Sequence, residues 1–178
     1  MLGQKFKKSL KIQMDVTENI GSKNDDMMQQ VTGKIGLLGG EEFLYIPYGA
    51  NQITYVETEL DCISSRFTGC VMAAFMWNGK RCVAHVAAPE CNGKWNDLKQ
   101  EITLLSEFNP SRVFDTKNIT SLLRMRANND NKLTNNMRDC FGIIDSENKK
   151  YAGFLASTRL GAQTDLYQHT VQSCVPVT

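Results

Sequence analysis

SSRFTGCVMAAFMWNGKRCVAHVAAPE, residues Ser64 to Glu90, decides how the rest of this 178-residue chain is read. Two apolar runs, Cys70 to Trp77 and Lys80 to Ala88, flank Asn78-Gly79. Asn-Gly tolerates the positive φ that a two-residue type I′ turn demands, so the stretch reads as a β-hairpin. With Asn78 and Gly79 as the loop, Trp77 faces Lys80, Phe75 faces Cys82, Met72 faces His85 and Cys70 faces Ala87. Side chains alternate along a strand, which puts Cys70, Met72, Val83, His85 and Ala87 on one face. Val71, Ala73, Phe75, Ala84 and Val86 occupy the other. Both faces are apolar, so the hairpin belongs inside a sheet that is covered on both sides, by helices or by a second sheet.

Cys70 and His85 are diagonal neighbours in this register, with backbones roughly 7–8 Å apart. A thiol and an imidazole can close that gap. A cysteine nucleophile needs such a partner, because the thiolate is the reactive form and a neighbouring imidazole takes its proton. Gly69 lets the backbone bend just before Cys70, and the N–H groups of Gly69 and Cys70 are candidates for an oxyanion hole. Ser64 and Ser65 offer hydroxyls to orient the imidazole. The alternatives are two. Buried cysteine is commonly a small core hydrophobe, so the pair can belong to a binding module without catalysis. A papain-like peptidase or amidase would instead place Cys70 at a helix start.

Composition bounds the rest. Hydrophobic residues make up 42% and charged residues 22%, ordinary values for a globular domain, with a formal net charge of +1. Overall charge therefore gives no support for nucleic-acid binding. Lys5, Lys7, Lys8 and Lys11 read as a solvated strand edge or a loose terminus. No apolar run is long enough to span a bilayer, and the first residues lack the core of a secretory signal. The six cysteines contain no C-x-x-C pair and only two histidines accompany them, so the thiols read as reduced and mostly buried, with no metal and no cofactor expected. His169 reads as a surface residue, Arg124 and Arg126 as a solvated face, and Trp95 as a core aromatic.

The expected fold is a single α/β (α+β) sandwich domain over residues 1–178, with 1–30 partly flexible. Its core is a mixed, largely antiparallel sheet around the hairpin, covered by helices. Strands are expected around Leu10–Val16, Val31–Leu38, Phe43–Tyr48, Ile53–Leu60, Cys140–Ile144 and Tyr151–Ser157. Glu18 to Gln30 reads as a loop or short helix. Leu98, Ile102 and Leu105 form a helical stripe in Trp95–Phe108, with Asn96 as its N-cap. A second helix is expected over Ile119–Arg126, a polar loop over Asn128–Asn136, and a tail from Gln163 that packs back on the domain.

The pattern S-x₃-T-G-C-V-x-A-x₁₁-H-V-x₂-P, Ser64 to Pro89, resembles the glutamine deamidases of the CheD type. Phe67-Thr68-Gly69-Cys70 and the fifteen-residue step to His85 are similar to the Leu-Ser-Gly-Cys motif and spacing of the cytotoxic necrotizing factors. The Burkholderia lethal factor shares that signature. The resemblance implies Cys70 as nucleophile, His85 as general base and acid, and Ser64 as third member. It implies a protein-glutamine deamidase with an α/β sandwich fold, its substrate a protein presenting a glutamine. A toxin or effector exported by a non-classical or effector route to a host cytosol is the implied setting, or the bacterial cytoplasm if the role is in chemotaxis. Rho-type GTPases and translation factors are the implied targets, and a monomer is favoured.

Overall fold

The computed structural model describes residues 11–12, 19–20, 28–38, 41–87, 91–113, 136–159 and 167–178. These form a mixed α+β structure made mostly of strand. The strands in chain order are β1 (Lys11–Ile12), β2 (Asn19–Ile20), β3 (Met28–Gln30), β4 (Lys34–Leu38), β5 (Glu41–Ile46), β6 (Tyr48–Gly49) and β7 (Ile53–Glu57). They continue with β8 (Cys62–Ser65), β9 (Val71–Trp77), β10 (Lys80–Val86), β11 (Thr103–Phe108), β12 (Asn136–Ile144), β13 (Lys150–Arg159) and β14 (Tyr167–Val177). One helix, α1 (Asn92–Leu98), and a 3-10 turn at Pro110–Arg112 complete the described elements.

A larger sheet has the order β1-β14-β13-β12-β8-β5-β4, and a smaller one β11-β9-β10-β7-β3; β2 and β6 form a separate parallel pair. Most pairings are antiparallel, with β5–β8 and β3–β7 parallel. β9 and β10 lie inside the smaller sheet in the expected register, Trp77↔Lys80 through Met72↔His85 to Val71↔Val86. Asn78 (φ 50) and Gly79 (φ 74) carry the positive φ of the turn.

The two sheets pack face to face through a shared core. Met72, Ala74, Val83 and Phe108 of the smaller sheet belong to it, with Leu44, Ile46, Cys62, Cys140, Ile144 and Ala152 of the larger. Gly142 of β12 packs closely on Met72 and the 3-10 turn. A Cβ there would lie 2.7 Å from Pro110 Cγ and 3.0 Å from Met72 Sδ. At the end of β10 away from His85, buried Arg81 ties the sheets together. Its guanidinium donates to the Thr58 carbonyl (2.7 Å), the Asp145 carbonyl (2.8 Å) and Asn148 Oδ1 (3.0 Å).

Cover by helices is the main correction. A second sheet, not a helical layer, covers the face that carries His85. On the opposite face the described cover includes only α1, whose Trp95 packs edge-on against Phe75 at 5.6 Å. The expected helix over Trp95–Phe108 divides into α1 and strand β11. Leu98 is buried, but Leu105 stays 39% exposed, so the helical stripe is not realised. β11 instead satisfies the outer backbone edge of β9, with an irregularity between Leu104 and Ser106. Such long-range pairing overrides local propensity. The N-cap is Cys91, without a side-chain cap bond, rather than Asn96.

Within the expected loop or helix of residues 18–30, Asn19–Ile20 and Met28–Gln30 are strand. The strand expected over Leu10–Val16 is described only at Lys11–Ile12, and the tail returns as β14 beside β13. Asn136, expected in a loop, begins β12. The helix expected over Ile119–Arg126, Arg124 and Arg126 themselves, and Pro89 lie outside the described residues. Among the described residues no helix is long and apolar enough to cross a membrane.

Candidate active site

His85 projects from β10 toward the larger sheet, where β8 meets it. The β8 strand was not anticipated from CISS, a segment too short to show periodicity. It lies between β5 and β12, with Ser64 beside Ile46 on one side and Gly142 on the other. All four of its residues are buried. Its serines are accommodated by hydrogen bonds: Ser65 Oγ meets Tyr45 Oη at 3.1 Å, and Ser64 Oγ donates to the Ile46 carbonyl at 2.7 Å.

Ser64 Oγ is also 2.7 Å from His85 Nδ1. The single hydroxyl proton is directed to Ile46, so Nδ1–H donates to Ser64 Oγ. This assigns the tautomer and leaves the lone pair on Nε2. Among the described residues, His85 Nε2 is a buried polar atom with no hydrogen-bond partner. Phe67 stacks on the imidazole, with centroids 4.3 Å apart and planes 7° from parallel, and Tyr48 meets it edge-on at 5.3 Å. Burial lowers the His85 pKa from 6.5 to about 3. The ring is therefore neutral at ordinary pH and held on three sides.

Cys70 lies one residue before β9, so the ladder keeps it diagonal to His85. The thiol residue is 4% exposed. Thr68 is exposed and Gly69 half-buried, which puts Cys70 just beneath the surface. Gly69 has φ +140, and a Cβ there would meet nothing within 4 Å. Backbone conformation, not crowding, is what demands glycine. The chain enters a strand after Cys70 rather than the helix expected of a papain-like arrangement.

Sequence reasoning missed Asn109. Its Nδ2 donates to the Gly69 carbonyl at 3.0 Å, while its Oδ1 accepts from Ser111 N at 3.0 Å. One side chain thus pins the peptide preceding Cys70 and caps the 3-10 turn. Asn109-Pro110 reads in sequence as a helix stop, and nothing local points to its partner forty residues earlier.

None of the six cysteines is in a disulfide, and all but Cys174 are buried. Burial pushes the thiols of Cys62 and Cys174 up to about 12 and that of Cys82 to about 11. These three are poor nucleophiles. Trp95 is buried on the other face of the smaller sheet, consistent with a core aromatic. The backbone of His169 lies in β14 opposite Ser157, in the sheet away from β9 and β10. No protein-family model, curated protein or solved structure matches the chain.

Proposed function

We propose that this chain is a cysteine-dependent protein-glutamine deamidase, converting a glutamine of a target protein to glutamate. The observation that carries the reading is the His85 imidazole, with Nδ1 committed to Ser64 and Nε2 left with its lone pair, diagonal to Cys70. The resemblance of Ser64–Pro89 to the glutamine deamidases supplies the choice of amide.

In the proposed reaction Nε2 takes the Cys70 thiol proton as sulfur attacks the side-chain carbonyl carbon. Burial disfavours the imidazolium, so this transfer accompanies S–C bond formation rather than preceding it. Backbone N–H groups around Gly69 and Cys70 receive the oxyanion. The proton on Nε2 passes to the departing nitrogen, which leaves as ammonia. Nε2 then takes a proton from water as the oxygen attacks the thioester carbon. Collapse expels the Cys70 sulfur, which recovers that proton, and the product is glutamate. A host protein such as a Rho-type GTPase or a translation factor is the proposed target, with delivery by an effector or non-classical route.

A second reading is favoured by the burial of both side chains, 4% for Cys70 and 0% for His85. It makes the pair part of the core of a binding module. The deciding experiment incubates the protein with a panel of candidate targets and maps their peptides by mass. Deamidation expects a glutamine-to-glutamate change that disappears in Cys70→Ser and in His85→Ala. Peptide-bond cleavage instead, no modification, or activity surviving Cys70→Ser overturns the proposal.

A further inference from the structure

Three buried polar side-chain atoms among the described residues have no hydrogen-bond partner: Gln52 Oε1, His85 Nε2 and Trp95 Nε1. A buried polar atom left unpaired bears its desolvation cost with nothing to offset it. Trp95 packs on Phe75, on the sheet face away from His85. Gln52 and His85 share the other face. The β10–β7 ladder pairs His85 with Thr54 and Val86 with Ile53. One step on, Ala87 N–H donates to the Gln52 carbonyl at 3.1 Å. The β9–β10 ladder, carried the same step past Val71↔Val86, sets Cys70 opposite Ala87.

Cys70, Ala87 and Gln52 therefore form one row, with Met72, His85 and Thr54 in the next row on the same face. The middle residue of the first row is alanine, the smallest side chain of the three. Gln52 is 2% exposed. Its side chain lies over Gly49, where an added Cβ would come within 3.0 Å of Oε1. The adjoining Tyr48 is the ring that meets His85 edge-on. The row thus carries a nucleophile at one end and a buried, unpartnered amide oxygen at the other.

We propose that Gln52 reads the substrate's primary carboxamide, its Oε1 accepting a substrate N–H and selecting glutamine over glutamate. This rests on the deamidase reading and names the residue that gives it specificity. A carboxylate has no N–H to offer and presents lone pairs to Oε1. The same residue that admits the amide thus disfavours the acid product once ammonia has left.

The test compares alkylation of Cys70 by iodoacetamide, which carries a primary carboxamide, with alkylation by iodoacetate, which carries a carboxylate. Peptide mass mapping of the full chain at neutral pH gives the rate ratio at Cys70, and the denatured chain gives the reference ratio. In the native protein the ratio should exceed the reference by about tenfold, the value of one hydrogen bond of ~1.4 kcal/mol. In Gln52→Met, which keeps length but removes the acceptor, it should fall to the reference. The wild-type measurement decides even if the variant does not fold. A native ratio equal to the reference, a ratio unchanged in a folded Gln52→Met, or no labelling of Cys70 overturns the proposal. Glutamine deamidation without the enhanced ratio overturns the role of Gln52 alone. An enhanced ratio without glutamine turnover overturns the deamidase reading and leaves a carboxamide-binding site.

Discussion

Ser64 Oγ and His85 Nδ1 meet at 2.7 Å across the interface between the two sheets. The contact spans 21 positions in sequence but needs strands from separate sheets. Because Ser64 also donates to Ile46, it acts on His85 as an acceptor and directs the lone pair to Nε2. Ser64→Ala should lower the deamidation rate about 10–100-fold and destabilise the fold by about 1–3 kcal/mol, since Nδ1–H and the Ile46 carbonyl both lose their partner. Kinetics with a glutamine substrate and urea unfolding check both; an unchanged rate would remove Ser64 from the mechanism.

The lowered pKa of His85 gives stability a defined pH dependence. Above pH 6.5 the imidazole is neutral both folded and unfolded, so it contributes no slope. Below 6.5 the unfolded chain takes up a proton that the folded chain refuses until about pH 3. Stability should fall through that window by about 1.4 kcal/mol per pH unit from this residue. Urea unfolding across the window checks it: the slope should be shallower by that amount in His85→Phe, and equal slopes would contradict a buried neutral imidazole.

Gly69→Ala should separate backbone strain from crowding. No atom lies within 4 Å of the added Cβ, but φ +140 disfavours it. The expected cost is about 1–3 kcal/mol in stability, with a loss of deamidation greater than the unfolded fraction explains. Thermal unfolding and activity on the same samples test this. Full activity would mean that the peptide before Cys70 does not need its conformation.

Asn109 permits a finer separation. Asn109→Asp keeps an acceptor for Ser111 N–H but cannot, when ionised, donate to the Gly69 carbonyl. It should retain the 3-10 turn and lose about tenfold in kcat, with KM little changed, as expected of a positioning residue. Asn109→Ala should lose the turn's cap as well and be about 1 kcal/mol less stable. Equal kinetics in Asn109→Asp and wild type would confine Asn109 to the turn.

The Cys70–His85 diagonal was legible in the chain because everything needed for it is local. Asn78-Gly79 determines the loop, the loop determines the register, and period-two alternation determines the face. The apolar character of both faces of β9 and β10 likewise required an interior position in a sheet. β11 was misread because Leu98, Ile102 and Leu105 fit a helical stripe, while the unpaired edge of β9 that recruits Thr103–Phe108 is remote in sequence. Ser64 and Ser65 were both candidates to orient the imidazole; only the tertiary structure could choose Ser64 for Nδ1, join Asn109 to the peptide before Cys70, and set Gln52 in the row containing Ala87. Each of those relationships crosses between strands or sheets that no local turn connects. Local chemistry set the Cys70–His85 diagonal; packing of one sheet on the other chose the imidazole's tautomer and left Nε2 unpartnered.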